Sequence, residues 1–157
     1  MGLFSRIFPK KELTIEPIDL SFLRNDIHSH LIPGIDDGSP DMETTIMLLK
    51  KFIDLGYKKV ITTPHVMSDY YKNTPEIILS GLDKVKTEII KNNLSIEIEA
   101  AAEYNLEPEF EDLLEKNNLL TFGPEKYLLF ELSFFDEPPR VNDVIWKMRE
   151  KGVSPVL

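Results

Sequence analysis

The chain has 157 residues, of which 42% are hydrophobic and 29% charged, a composition that suits one globular domain with a buried core. Its net charge of −9 argues against a nucleic-acid partner, because contact with a phosphate backbone needs a basic face. The chain has no cysteine, which excludes disulfides, thiolate metal ligands and a cysteine nucleophile.

Residues 1–24 are predicted to be an N-terminal extension. Its apolar part is too short for a signal peptide or a membrane span. Apolar and basic residues are interspersed near its start, namely Leu3, Phe4, Arg6, Ile7, Phe8, Lys10 and Lys11. Such a segment would suit peripheral contact with a membrane surface or a partner, and a frayed terminus is the alternative interpretation.

Strands and helices alternate through the rest of the chain. Predicted strands lie near residues 26–30, 60–63, 95–104, 127–132 and 153–157, and predicted helices near 40–55, 75–91, 108–116 and 141–151. Two helices are expected to begin at a capping residue followed by proline, at Ser39 and at Thr74, and Gly56 and Gly152 are expected to end helices. The predicted apolar helix faces comprise Met42, Ile46, Leu49 and Ile53; Ile77, Ile78, Leu82, Val85 and Ile89; and Val144, Ile145 and Met148.

This alternation predicts an α/β fold with a parallel sheet covered by helices. About four and a half βα units are present. The last strand, near 153–157, would then be an unpaired apolar edge, which is an aggregation liability. We therefore expect the chain to be a fragment of a longer product, or else an open sheet that a partner completes.

The first predicted strand carries two of the three histidines, His28 and His30. Side chains two residues apart in a strand point to the same side, so this pair is suited to binding a metal ion. A solvated strand end is the alternative for a short motif taken alone.

Further ligand types stand at the ends of the next predicted strands, with His65 after the second, Glu103 after the third and Glu131 at the end of the fourth. The carboxyl ends of parallel strands meet at one edge of a sheet, so these side chains should converge. His65 could instead be a loop histidine and Glu103 a solvated strand end. Glu131 is harder to explain as a solvated residue, because a carboxylate in an apolar strand is rarely buried without a partner.

Two adjacent carboxylates, Asp36 and Asp37, precede Gly38 in a predicted turn. Either can be a turn former while the other is a ligand. The donor set is then nitrogen and oxygen without sulfur, which suits manganese, zinc, iron or magnesium. More ligands than one ion needs suggest two or three ions, an arrangement that hydrolyses phosphate esters through a metal-activated hydroxide.

The segments Asp26-Ile27-His28-Ser29-His30, Asp36-Asp37-Gly38, Thr62-Thr63-Pro64-His65, Ala102-Glu103 and Phe130-Glu131 resemble the opening motifs of the PHP superfamily (polymerase and histidinol phosphatase). They are most similar to its bacterial capsule-type branch, the manganese-dependent tyrosine-protein phosphatases of polysaccharide export. The resemblance runs from about residue 26 to residue 157. It implies that residues 25–157 are the N-terminal part of a PHP-type domain.

The resemblance implies a distorted seven-stranded βα barrel with a trinuclear site, of which this chain would supply a part. His28 and His30 would bind one ion, and Glu103 would bridge two. Glu131 would bind the second ion, and His65, with Asp37, would belong to the third. Manganese is the implied metal, and no catalytic residue is assigned beyond the metal ligands.

The implied substrate is phosphotyrosine on a bacterial tyrosine kinase that controls capsule or exopolysaccharide assembly. This substrate would place the chain in the cytoplasm. A position at the inner face of the membrane and the formation of a homo-oligomer are left open. Two alternatives remain: a small-molecule phosphatase similar to histidinol phosphatase, and a truncated metal-binding or assembly module without turnover. The family's later His-Pro-Glu-Arg-Tyr-like segment and Asp-x-His pair have no counterpart here, and Arg140 is expected to be a surface residue rather than a phosphate ligand.

Overall fold

Two parallel β-sheets form the framework of the protein, and a computed structural model describes them through residues 19, 21–133 and 140–157. The strands are β1 (Asn25–Ser29), β2 (Lys59–Thr62), β3 (His65–Val66), β4 (Glu97–Ala100), β5 (Glu103–Asn105), β6 (Tyr127–Glu131) and β7 (Ser154–Val156). The helices are α1 (Met42–Asp54), α2 (Pro75–Lys91), α3 (Pro108–Glu115) and α4 (Val141–Glu150). The start of the predicted N-terminal extension, with its interspersed apolar and basic residues, lies outside the described residues.

The strand order is β1-β2-β4 in the first sheet and β3-β5-β6-β7 in the second. All neighbouring strands in both sheets run parallel. Parallel neighbours need a crossover connection, and the four helices lie in those connections. The predicted α/β class with helix-covered parallel strands is therefore confirmed. No helix in the described part of the chain is long and apolar enough to cross a membrane.

The third predicted strand, residues 95–104, is broken into two, and a short strand that was not predicted follows the second. The chain leaves the first sheet after Thr62 and enters the second at His65, and it repeats this step between Ala100 and Glu103. The prediction of one continuous strand over 95–104 was wrong, whereas the second strand ends close to where it was predicted to end. His65 and Glu103 consequently begin short strands of the second sheet, where they are register partners, instead of ending strands of the first.

Helix α1 begins differently from the prediction. Its N-cap is Asp41, whose carboxylate accepts a hydrogen bond from the Thr44 amide at 2.8 Å. Ser39 was predicted to cap this helix, but its hydroxyl is buried, where it donates to the Asp41 carbonyl and contacts the Thr45 hydroxyl. The Asp41 carboxylate lies at the position from which the Thr44 amide can be reached, and it therefore takes the capping role.

Helix α2 begins at the predicted N-cap, Thr74, and ends at the predicted Lys91. Its core-facing side matches the expectation except at Ile77, which is 44% exposed. The neighbouring Ile78 is fully buried and takes the inward position of that turn. Gly56 and Gly152 adopt positive φ angles immediately beyond α1 and α4, as expected of residues that end helices.

The hydrophobic core lies between the helices and the sheets. Its fully buried members come from every layer of the fold, namely Leu49, Val60, Ile78, Val85, Leu128 and Met148. These contacts fix the helices on the strands, and the strands in turn fix the charged residues described next.

Candidate metal centre

The first sheet supplies two histidines at the end of β1. His28 Nε2 lies 3.1 Å from Glu103 Oε2, and His30 Nε2 lies 3.2 Å from the same oxygen. The two side chains thus reach a common carboxylate, as the period of two predicted. His28 is about half exposed, whereas His30 is nearly buried.

The third histidine, His65, enters the same cluster from the second sheet. Its Nδ1 lies 3.4 Å from Glu103 Oε2 and 3.0 Å from Glu131 Oε1. Its ring meets the His30 ring edge-on, with 4.6 Å between the ring centroids, and stacks on the Tyr71 ring. All three histidines therefore lie around one carboxylate oxygen.

Glu103 is the centre of this cluster and only 6% exposed. Burial by itself raises the pKa of a carboxyl group, but in Glu103 the hydrogen bond from His30 and the charges of His28 and His65 outweigh it and hold the pKa below its usual value. Glu103 is thus an anionic ligand candidate that reaches residues of both sheets.

Glu131, the last residue of β6, has the opposite shift. Its pKa is raised, first by burial and then by the negative charges of Glu103 and Asp37, while the charge of His65 opposes the rise. Carboxylates therefore crowd this side of the cluster.

The adjacent aspartates have different surroundings. Asp37 is largely exposed, and its Oδ1 lies 3.6 Å from both His30 Nδ1 and His65 Nε2. The Asp36 side chain is fully buried, and its Oδ2 lies 3.0 Å from His30 Nδ1. Burial would raise the pKa of Asp36, but hydrogen bonds from His30, from the Gly38 amide and from the His65 amide together lower it.

His30 lies between carboxylates on both sides of its ring. Burial disfavours the charged form, yet hydrogen bonds to Asp36 and Glu103 raise the pKa of His30 to about 10. The two flanking carboxylates therefore favour the imidazolium form of the ring when no cation is bound. A cation bound at Nε2 would take the place of one proton.

Two residues outside the predicted set, Thr62 and Asn73, hold the backbone beside the ligands in place, and a third, Glu107, fixes the loop after β3. The Thr62 hydroxyl accepts from the Leu31 amide and donates to the Ser29 carbonyl, each at 2.8 Å, and so ties β1 to β2 beside His30. The Asn73 amide donates to the carbonyls of Ile35 and His65. Glu107 accepts from the amide and hydroxyl of Ser68. These contacts join distant segments, so no local sequence pattern predicts them.

The donor set fits a divalent metal. Two groups have ligand atoms that all lie within 4.8 Å of one another, namely His28, His30 and Glu103, and His30, Asp37 and His65. His65 Nδ1 is buried and forms no hydrogen bond to the described residues, because its approach to Glu131 lacks hydrogen-bond geometry. An imidazole nitrogen directed at carboxylates without a bonded partner is suited to coordinating a cation.

Comparison with known proteins assigns the family. The family model described as "Capsular polysaccharide synthesis, CpsB/CapC" matches residues 24–157. The chain belongs to the CpsB/CapC family. The resemblance stated from the sequence motifs is thereby confirmed.

Individual CpsB/CapC relatives carry names that refer to phosphatases. The chain is 30% identical to the tyrosine-protein phosphatase YwqE of Bacillus subtilis (strain 168) over 132 residues, which cover 84% of this chain and 52% of YwqE. It is 27% identical to the tyrosine-protein phosphatase CpsB of Streptococcus pneumoniae, covering 84% of this chain and 54% of that protein. The chain thus spans about half the length of the curated relatives it matches.

A solved structure has the same fold. It belongs to the crystal structures of YwqE from Bacillus subtilis and CpsB from Streptococcus pneumoniae, described as unique metal-dependent tyrosine phosphatases. The TM-score is 0.75 at 30% identity, and the match covers 83% of this chain and 53% of the solved chain. The mixed α/β architecture with parallel sheets is therefore the CpsB/YwqE fold.

The candidate ligands predicted from the sequence come together in the structure. His28, His30, His65, Glu103 and Glu131 are linked by contacts of 3.0 to 3.4 Å, and Asp37 lies slightly farther from two of them. Arg140 is exposed and paired with Asp143, as expected of a surface arginine.

Proposed function

We propose that residues 25–157 form the metal-binding N-terminal part of a PHP-type domain in a metal-dependent protein-tyrosine phosphatase, with residues 1–24 as an extension. The main support is the convergence of His28, His30 and His65 on one oxygen of Glu103. Relatives named as tyrosine phosphatases, each covered over about half its length, also support the proposal.

Each residue of the cluster has a role in this proposal. His28, His30 and Glu103 would hold one ion, and Asp37 and His65 a neighbouring ion, with Glu103 and Glu131 serving as the carboxylates between them. Divalent ions bound there supply charge stabilisation for a phosphoryl group and lower the pKa of water at the site. The nearly buried position of His30 and Glu103 excludes bulk water from one side of the cluster and preserves the strength of its electrostatic interactions.

We propose manganese as the metal, in two or three ions. The nitrogen and oxygen donors support manganese and are equally compatible with zinc, iron or magnesium. Equilibrium binding of these four ions to the chain would rank them, and a preference for one of the other three would correct this choice.

The proposed substrate is phosphotyrosine on a tyrosine kinase of polysaccharide export, and the proposed process is capsule or exopolysaccharide synthesis. The family description and the phosphatase names of the relatives support this substrate class. A kinase substrate would place the protein in the cytoplasm, at the inner face of the membrane.

We further propose that the two sheets are part of a distorted βα barrel. The support is the passage of the chain from the first sheet to the second at two neighbouring places, which bends the strand layer as a barrel wall requires.

Phosphate release from a tyrosine-phosphorylated peptide with Mn²⁺ tests the function. Because the chain covers about half of its relatives, we expect turnover once it is joined to the remainder of such a domain, lost with chelator and in the Glu103→Gln variant, and little release from phosphoserine peptide or histidinol phosphate. Release from histidinol phosphate alone would favour the small-molecule alternative. Mn²⁺ binding without turnover on any of these substrates, in the completed domain as well as in this chain, would favour a non-catalytic metal-binding module, a second candidate suggested by the coverage of only half of each relative.

A further inference from the structure

Asp36 is a buried carboxylate that contacts three separate parts of the candidate metal centre. Its Oδ1 accepts a hydrogen bond from the Gly38 amide at 3.0 Å, and its Oδ2 accepts one from the His65 amide at 3.0 Å. Oδ2 also lies 3.0 Å from His30 Nδ1. Asp36 therefore connects the end of β1, the Asp-Gly turn and the start of β3.

The hydrogen bonds of Asp36 leave it poorly placed to bind an ion. A carboxylate oxygen has two lone-pair positions, and both positions of Oδ2 face partners, the His65 amide and His30 Nδ1. The side chain has no solvent exposure. Asp37, the next residue, has the opposite properties, because its side chain is 61% exposed and its Oδ1 faces both His30 and His65.

The turn that contains Asp36 is built closely around His30. The Ser39 amide donates to the His30 carbonyl at 3.0 Å. A Cβ atom at Gly38 would collide with the Cβ and the carbonyl oxygen of His30, so this turn tolerates only glycine there. The Asp36 carboxylate and the His30 ring are thus held together by backbone packing.

Contact with Asp36 also keeps a proton on one nitrogen of the His30 ring. A carboxylate accepts a hydrogen bond but cannot donate one, so Nδ1 beside Asp36 carries a proton. Nε2, on the other side of the ring, faces Glu103. A histidine that ligates a metal through one nitrogen commonly donates the other N–H to a carboxylate, which fixes the ring and its tautomer.

We propose that Asp36 is a positioning residue that keeps the His30 proton on Nδ1 and anchors the His65 backbone beside the candidate ligand Asp37. This inference rests on the metal centre proposed above. It assigns to Asp36, which could be a turn former or a ligand from the sequence, a role that acts through His30 and His65.

The matched variants Asp36→Asn and Asp37→Asn test this assignment. The asparagine introduced by Asp36→Asn keeps the shape of the side chain, but it lacks the charge and turns one of the two acceptor oxygens into an amide donor. We expect Asp36→Asn to lower Mn²⁺ affinity about 10- to 100-fold in calorimetric titration, the usual effect of removing a partner that orients a ligand. Far-UV circular dichroism would establish that both variants are folded.

Nuclear magnetic resonance of the Zn²⁺-loaded chain separates positioning from ligation. In the wild-type protein and in Asp37→Asn, ¹⁵N shifts should show a protonated His30 Nδ1 and a zinc-bound Nε2, and the His65 amide should be protected from hydrogen exchange. In Asp36→Asn, we expect the Nδ1 proton signal and the protection of the His65 amide to be lost.

Zinc bound through His30 Nδ1 in the wild-type protein would overturn this assignment but leave the metal centre intact. The same conclusion would follow if Asp36→Asn kept both signals and wild-type affinity. The wild-type ¹⁵N shifts decide the matter alone if Asp36→Asn does not fold. Absence of Zn²⁺ and Mn²⁺ binding in the wild-type chain would overturn both this inference and the proposed function.

Discussion

The two sheets contribute different chemistry to the candidate metal centre. The first sheet brings His28 and His30 at the end of β1, whereas the second sheet brings Glu103 and Glu131 together with His65. Each of the two candidate ligand groups contains residues from both sheets, since one joins β1 histidines to Glu103 and the other joins His30 to His65. The site therefore depends on how the sheets meet, and neither sheet provides it alone.

Removing the carboxylate shared by the two sheets should have the largest effect. Glu103→Gln keeps the side-chain shape but takes away the charge that all three histidines face. We expect Mn²⁺ affinity to fall by about 100-fold or more, because loss of a ligand exceeds the 10- to 100-fold effect typical of losing a group that only orients a ligand. Calorimetric titration measures this change.

Glu99→Gln is the control for that experiment. Glu99 lies on β4, the strand that precedes Glu103 in the chain, where it is exposed and pairs with Lys59. Its Mn²⁺ affinity should equal that of the wild-type protein. If Glu103→Gln and Glu99→Gln bound Mn²⁺ equally well, Glu103 would not be a ligand.

Gly38→Ala tests whether the turn around His30 matters to the site. The added methyl group meets the His30 Cβ and carbonyl, so the ring should shift and Mn²⁺ affinity should fall about 10-fold, as for other disturbances of a ligand's support. Gly152→Ala is the counterpart away from the site, at φ 73° with open space where the added Cβ would lie. It should cost about 1 kcal/mol in the free energy of unfolding without changing affinity. Equal affinities in the two variants would contradict the account.

Thr62→Val should weaken the junction of β1 and β2 without touching a ligand. The variant leaves the buried Leu31 amide without its acceptor, at an expected cost of about 1–3 kcal/mol in the free energy of unfolding. Urea denaturation measures it. Thr87→Val, at an exposed hydroxyl on α2, should change stability by less than about 0.5 kcal/mol. A loss of stability in Thr62→Val as small as that in Thr87→Val would show that the Thr62 hydroxyl does not stabilise the junction of β1 and β2.

The smallest effect is expected at the Lys59–Glu99 ion pair, which joins β2 to β4 at 2.6 Å with Glu99 about half exposed. Lys59→Met should cost at most about 1 kcal/mol, and the difference should shrink in salt because exposed charges are screened. Urea denaturation at low and high salt is the measurement. A larger, salt-independent loss would mean that the first sheet depends on this pair.

Much of the site could be predicted from the sequence because its signals are local. The period of two placed His28 and His30 together, and the helix periodicity located the helices that separate the parallel strands. The break between Ala100 and Glu103 could not be predicted, because an alternating pattern continues toward it while the chain changes sheet.

The different environments of Asp36 and Asp37 could not be predicted from local sequence patterns either. The two residues are adjacent and chemically identical, and only the packing of the turn against His30 and His65 buries one and exposes the other. The supporting roles of Thr62 and Asn73 were not predicted for the same reason, since their hydrogen-bond partners lie on segments far away in sequence.

Anomalous diffraction from crystals of the Mn²⁺-loaded protein tests the central claim most directly. The account predicts manganese peaks at the junction of the two sheets, with one peak within bonding distance of His28, His30 and Glu103 and another beside Asp37 and His65. Manganese found only at surface carboxylates, with no peak next to Glu103, would contradict a metal centre assembled from both sheets.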